Sequence, residues 1–410
     1  MDTIDIQLDQ GRIQGTLDSR FTPVLDAFIE NFKARGELGA SVALSLEGRP
    51  CVDLWGGHKD GARSQAWEAD TVSLVFSVTK AATALCAHHL MHEGAFALHD
   101  PVRRIWPEFA QAGKEDATVA MMLNHSVGVP AFREALKPGA YLDWDYMVER
   151  LAQEAPFWTP GVRNGYHMMS FGWTVGELVR RASGKSLGTY FKENFAEPLG
   201  LDFAIGLPAK DLPRVAPMVP FKPGPDTPVT DFTKALLSDP TSISALSLLN
   251  SGGHDSNAPE ALAAELGGGG GVSNARSVAK LFAPLAAGGG ALFTRDEVAR
   301  MGAVSAATQQ DATLLIPSRF ALGFMKSMDN RARPHGAIES CVLSETAFGH
   351  VGAGGSLGFA DPACNLAFGY TMNAMGAGLL LNDRGQSLVD ATYESLGYGS
   401  SASGGWLPSA

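Results

Sequence analysis

The residues best suited to covalent chemistry are Ser77 and Lys80, in Phe76-Ser77-Val78-Thr79-Lys80. A helix-forming stretch follows directly. A spacing of three is close to one helical turn, so both side chains leave the same face, within reach of each other. A serine hydroxyl is a weak nucleophile until a base takes its proton. A lysine one turn on assists as an ammonium that lowers the pKa of a neighbouring base, or, if desolvated, as the base itself. The pattern recurs at Ser277-Val278-Ala279-Lys280, so the case for Ser77 rests on residues that complete its site.

Two further stretches offer such residues. Tyr166, in Gly165-Tyr166-His167, supplies a phenol. Its reference pKa near ~10 makes it a poor base unless a lysine ammonium stabilises the phenolate. His350-Val351-Gly352-Ala353-Gly354-Gly355 reads as a glycine-rich strand edge. Such an edge lets a substrate lie against backbone and presents N–H groups to a developing oxyanion. Taken alone, each is an ordinary feature: a half-buried tyrosine, a glycine turn.

The elements that must position these groups are legible in outline. Thr22 to Arg35 has apolar residues at helical spacing, closed by Gly36 and Gly39. Ser41 to Leu46 and Cys51 to Trp55 read as a hairpin around Glu47-Gly48-Arg49-Pro50. Val72 to Phe76 approaches Ser77 as an extended apolar run. Val78 to Glu93, rich in alanine and ended by Gly94, suits a buried central helix. Helices are expected over Ala117 to Asn124, over Phe171 to Arg181 with Gly184 beyond, and from a Ser186 cap to a stop at Pro198. Pro208 to Pro240 reads as a surface excursion. Ala275 to Ala287 is expected to be helical. Phe320 to Met325 is expected as a strand, Leu357 to Asp361 with Leu366 to Met372 as a hairpin, and Asp383 to Leu396 as a last helix. The tail from Gly397 is expected to fray. Strands at both ends and helices between give an α/β (α+β) chain. One sheet is built from both termini around a mostly helical insertion. The expected division is 1–75, a helical subdomain 76–270, 271–396, and a tail 397–410.

Composition narrows the function classes. The chain has 410 residues, 45% hydrophobic and 18% charged, with a net charge of -11. That is ample for a large core. Without a Lys/Arg cluster, nucleic acid is not an expected partner. The acidic start Met1-Asp2-Thr3-Ile4-Asp5 lacks the features of a signal peptide. No apolar run approaches the ~20 residues of a membrane span. Cys51, Cys86, Cys341 and Cys364 are scattered, which suggests free thiols in a reducing compartment such as the cytoplasm. A homo-oligomer stays open.

In order along the chain, these motifs resemble the serine β-lactamase and penicillin-binding-protein superfamily. Within it, the chain is similar to the family VIII carboxylesterases related to class C β-lactamases. Ser77-Val78-Thr79-Lys80 resembles the Ser-x-x-Lys nucleophile motif. Pro160-Gly161 through Gly165-Tyr166-His167, with Gly172 to Arg181, resembles the esterase form of the tyrosine motif. Phe348 to Gly352 through Gly358-Phe359-Ala360-Asp361-Pro362 resembles the third motif. Leu98 to Val102 and Trp106 to Phe109 resemble family segments, and the similarity runs from about Gly36 to Met375.

The resemblance implies an antiparallel sheet flanked by helices and hydrolysis of short-chain carboxylic esters without a cofactor. Ser77 would attack, with Lys80 and Tyr166 sharing the proton work. Backbone N–H groups of Ser77 and Ala353 would form the oxyanion hole. His350, Val351, Gly352 and Gly354 would line the substrate. Water would then hydrolyse the acyl-enzyme with Tyr166 as base. Two departures favour neutral esters over anionic lactams. Met168 stands where β-lactamases of this type carry the asparagine of Tyr-x-Asn, and His350 stands where they carry the lysine of Lys-Thr-Gly. A β-lactamase, D-amino-acid peptidase or acyl transferase using the same acyl-enzyme is the alternative. A non-catalytic scaffold ranks last, since no expected group is lost.

Rival readings are weaker. Gly354-Gly355-Ser356-Leu357-Gly358 matches the α/β-hydrolase elbow, but no histidine follows Ser356. Leu266 to Gly271 lacks the Gly-Lys-Ser/Thr of a phosphate loop. His88, His89 and His92 lack a His-Glu-x-x-His pattern and an obvious third ligand, so they are expected as polar surface rather than a metal site.

Overall fold

The computed structural model describes residues 1–399 and 404–409. Its centre is a ten-stranded, wholly antiparallel sheet. The strands are β1 (Asp2–Leu8), β2 (Gly11–Leu17), β3 (Gly39–Leu46), β4 (Arg49–Gly57), β5 (Ala306–Thr308), β6 (Ser318–Phe320), β7 (Met325–Lys326), β8 (Phe348–Val351), β9 (Leu357–Asp361) and β10 (Leu366–Met372). In space they run β1-β2-β4-β3-β10-β9-β8-β7-β6-β5. The two ends of the chain meet where β10 pairs with β3, Tyr370 opposite Val42.

Helices cover both faces, and strand alternation decides how closely. On one face Phe359, Phe368 and Tyr370 pack beneath α1 (Thr22–Ala34) and α6 (Asp383–Ser395). On the other face the same strands present Gly358, Ala360 and Gly369, so α4 (Ala275–Ala286) lies almost on the backbone. A Cβ at Gly369 would meet the Ala275 carbonyl at 2.2 Å.

α2 (Val78–His92) is the helix behind the site. Every residue from Val78 to His88 is buried, which its alanines and threonines permit. It packs beside α3 (Ser170–Ser183), which ends in left-handed Gly184. The glycines 267–271 thread along both. A Cβ at Gly172 would strike Gly268 N at 2.2 Å, so the run is there for close backbone approach.

Several expectations need correction. The segment before Phe21, for which no element was expected, forms the edge hairpin β1–β2, with Ile4, Ile6 and Leu8 alternating with polar residues. The stretch Phe320 to Met325 is not one strand. Gly323, at φ 90°, folds it into a tight hairpin with Phe320 opposite Met325. The helix from Ser186 does not stop at Pro198. A π-helical turn over Lys192–Ala196 offsets the hydrogen bonds, Pro198 follows early in a new α turn, and Gly200 ends it. Pro208 to Pro240 includes a helix, Asp231–Ser238, capped by Thr230.

His88 is core rather than surface. Its Nε2–H donates to the Leu322 carbonyl at 2.9 Å, and its ring stacks on Phe324. His89 is half-buried against Tyr190, and only His92 is exposed, where it meets Glu297. The tail is held where it is described. Tyr398–Gly399 pairs with Leu407–Pro408, and Trp406 is buried against Tyr393. One large aromatic ring supplies the apolar area that anchors an otherwise polar segment.

Candidate active site

The short strand Val72–Leu74 leads into the site, and Phe76 turns the chain at φ 44°. A bulky residue in the left-handed region costs about 1–3 kcal/mol. The turn is pinned because the Phe76 carbonyl accepts from both the backbone N–H and the Oγ1 of Thr79. Ser77 therefore stands at the N-terminal end of α2 with its backbone already helical.

Lys80 is fully buried. Its Nζ lies 3.0 Å from Ser77 Oγ and donates to the carbonyls of Met168 and Gly268, both at 2.5 Å. Burial pushes its pKa well below that of a free lysine. A neutral amine has two hydrogens and one lone pair. When the amine is neutral and the two carbonyls take its hydrogens, the lone pair is left for the Ser77 hydroxyl.

Tyr166 does not meet Lys80 as expected. The amine sits over the ring face, 4.8 Å from its centroid, rather than on the phenol oxygen. Burial pushes the phenol pKa up, with the Ser77 hydroxyl drawing it down and the Asp311 charge adding to the rise. The Tyr166 hydroxyl is buried and has no hydrogen-bond partner at normal distance among the described residues. Burial thus disfavours the charged form of both groups, the ammonium of Lys80 and the phenolate of Tyr166.

Asp311, which the sequence did not single out, fixes Tyr166 from below. Its Oδ1 accepts the backbone N–H groups of Tyr166, Thr313 and Leu314, at 3.0, 2.9 and 2.9 Å. Its Oδ2 accepts from Ser318 Oγ at 3.0 Å. The Asp-x-Thr turn is a local signal, but nothing in the sequence ties it to a tyrosine 145 residues away. The glycine run was a legible signal of close approach; that Gly268 holds the lysine was not.

The ledge 350–355 reaches the same place. Ser356 Oγ donates to the Val75 carbonyl at 3.0 Å, and a Cβ at Gly352 would meet that carbonyl at 2.3 Å. Only glycine lets the ledge lie against the chain that enters Ser77. Gly354, at φ 82°, is buried, and its carbonyl accepts from Asn382. Val351 is buried too, and its carbonyl accepts from His350 Nδ1 at 2.8 Å. Ala353 is the exposed residue of the turn. Neither its backbone N–H nor that of Ser77 has an acceptor among the described residues.

His350 is buried, with its ring centroid 5.9 Å from that of Tyr166. Because Nδ1–H is committed to Val351, Nε2 carries the lone pair, and it too has no partner among the described residues. Burial, with the charge of Lys80, holds its pKa down at about 3. His350 is therefore a neutral acceptor at working pH.

The rival serines have structural work. Ser356 is the strut to Val75. Ser277 is buried in α4, where its Oγ accepts the Asp202 N–H.

Fold and site together define a chain with a serine and a desolvated lysine at the head of a buried helix beside an antiparallel sheet. The chain belongs to the β-lactamase family: the profile named Beta-lactamase matches residues 25–391. It is 33% identical over 380 residues to the Esterase/beta-lactamase LipL of Mycobacterium tuberculosis, covering 91% of this chain and 85% of that one. Among solved structures it is similar to a family VIII carboxylesterase, at 36% identity and a TM-score of 0.82, covering 93% and 99% of the two chains. It is equally close in fold to a penicillin-binding protein homologue from Caulobacter crescentus, at 33% identity, a TM-score of 0.82 and the same coverage. No helix among the described residues is long and apolar enough to cross a membrane.

Proposed function

We propose that this chain is a serine hydrolase that cleaves short, uncharged carboxylic esters through an acyl-enzyme on Ser77. The observation that carries this reading is the 3.0 Å approach of Ser77 Oγ to a buried amine that also donates to the Met168 and Gly268 carbonyls. Ser77 Oγ attacks the ester carbon as its proton passes to Lys80 Nζ. The N–H groups of Ser77 and Ala353 receive the oxyanion. Collapse expels the alkoxide, which takes the proton held on Lys80 Nζ. Water then attacks the acyl group, and its proton returns by the same route. Kinship to proteins described as an esterase and a carboxylesterase supports ester chemistry.

The preference for uncharged substrates follows from His350 and Met168. A neutral imidazole offers a substrate carboxylate no counter-charge. Met168 commits its carbonyl to Lys80 and brings a thioether where an amide would hydrogen-bond. The four cysteines are free, and three are buried, which supports a reducing, cytoplasmic setting.

Hydrolysis of p-nitrophenyl butyrate and its loss in Ser77→Ala test the reading, with nitrocefin and a D-alanyl amide run alongside. Undiminished activity in the variant would remove Ser77 as the nucleophile. Faster turnover of nitrocefin than of the ester would replace the esterase with a β-lactamase.

A further inference from the structure

A cleft of about 550 Å³, lined by none of the site residues above, opens between the C-terminal end of α4, α5 (Arg295–Gly302) and β7–β8. Its walls include Val298, Ala303 and Phe348. The side chain of Lys326 is buried along its length; the residue is 3% exposed and lines this cleft. Among the described residues its ammonium makes no hydrogen bond and no ion pair within 4.0 Å. Arg295, exposed on the rim, likewise has no partner among the described residues.

The anionic groups nearby are already committed. Glu345 is held in a two-pronged contact by Arg319, at 2.6 and 3.2 Å. Asp361 accepts from Ser344, Thr346 and Tyr393. A buried cation without a direct hydrogen-bond partner is costly, and burial here brings the Lys326 pKa down to about 8, against the opposing charges of Glu345 and Asp361. The space in front of it is large enough for a small molecule.

We propose that this cleft is a second ligand site. It takes an apolar monocarboxylate, a short or medium-chain alkanoate, with the carboxylate on Lys326, Arg295 on the rim, and the hydrocarbon along Val298, Ala303 and Phe348. Lys326 and Arg295 carry no ion pair among the described residues, while Glu345 on the same cleft is held by Arg319, so the cleft favours an anion. The apolar walls call for a hydrocarbon tail and disfavour inorganic phosphate, which would leave them wet and would need more donors than the cleft presents. The inference does not rest on the catalytic reading, since neither its residues nor its test involves Ser77.

Calorimetric titration of the whole chain with sodium octanoate tests it. One saturable site per chain is expected, weakened about tenfold or more in Lys326→Met and severalfold in Arg295→Glu. The second variant is on the surface and guards against loss of fold in the first. Octan-1-ol and inorganic phosphate are each expected to bind at least about tenfold more weakly than octanoate. Ester hydrolysis is expected to continue unchanged in Lys326→Met. Absence of saturable octanoate binding would overturn the proposal, and so would equal binding of octanol or phosphate. Binding at the catalytic site instead would be untouched by both substitutions, which also overturns it.

Discussion

Tyr166 takes its place from Asp311: the tyrosine backbone N–H donates to Asp311 Oδ1 at 3.0 Å, next to two further N–H groups on the same oxygen. Asp311 is completely buried, with no cation among its hydrogen-bond partners. Burial raises its pKa, while the hydrogen bonds from Leu314, Tyr166, Thr313 and Ser318 pull it back.

Removing that carboxylate is expected to cost more than an ordinary surface change. Asp311→Ala leaves three buried N–H groups unpaired, for a loss of about 3 kcal/mol or more in urea unfolding. Asp311→Asn keeps one oxygen for those groups and is expected to lose less stability, with a fall in kcat from a displaced Tyr166. Equal stability in Asp311→Ala and the parent would contradict this positioning role.

Lys80 is expected to act only when unprotonated. The kcat/KM for p-nitrophenyl butyrate should therefore be present on the alkaline side of its depressed pKa and decline as pH falls through it. Lys80→Met is expected to lose about 10²–10⁴-fold. Lys80→Arg should not rescue, because a guanidinium stays protonated. His350, with its pKa held at about 3, is neutral across the working range, so His350→Gln should leave the acid limb where it is. A limb that moves in His350→Gln would reassign it to the imidazole.

Gly352→Ala should damage the site without unfolding the protein. The added methyl would lie 2.1 Å from Ser356 Oγ and 2.3 Å from the Val75 carbonyl, which forces the ledge away from Ser77. A drop of about tenfold or more in kcat/KM is expected. Gly224→Ala, where nothing lies within 4 Å, is the control and should be silent in the same assay.

Acid sensitivity follows from His88. Its folded pKa is lowered to about 4 from 6.5, chiefly by burial. The unfolded chain binds the proton first, so its stabilising contribution is complete above pH 6.5 and is lost as pH falls from 6.5 towards 4. In that window the parent should lose about 1.4 kcal/mol more per pH unit than His88→Gln. Urea unfolding at pH 7, 6 and 5 measures the difference, and parallel slopes would refute it.

The sequence exposed the site better than the electrostatics within it. Ser77, Lys80, Tyr166 and the ledge at His350 were legible because each carries a local pattern. That Lys80 is dry and rests over the Tyr166 ring was not legible. Its dryness depends on glycines 267–271 and on Met168, all distant in sequence. The central helix was readable from its small residues, and the β9–β10 hairpin from its apolar runs. The edge hairpin β1–β2 likewise carries a local signal, the alternation of Ile4, Ile6 and Leu8. The burial of His88 and of Trp406 depended on partners, Leu322 and Tyr393, that no local window contains.

The bond from Ser356 to the Val75 carbonyl joins residues 281 apart in the chain. The ledge beside Ser77 therefore cannot form during synthesis until residue 356 has followed Val75 out of the ribosome. Long-range closures of this kind come late in folding. Ser77 and Lys80 become neighbours when α2 coils, yet a nascent fragment carrying both lacks the glycine ledge beside them. The candidate site is therefore assembled only once β8 and β9 have joined the sheet.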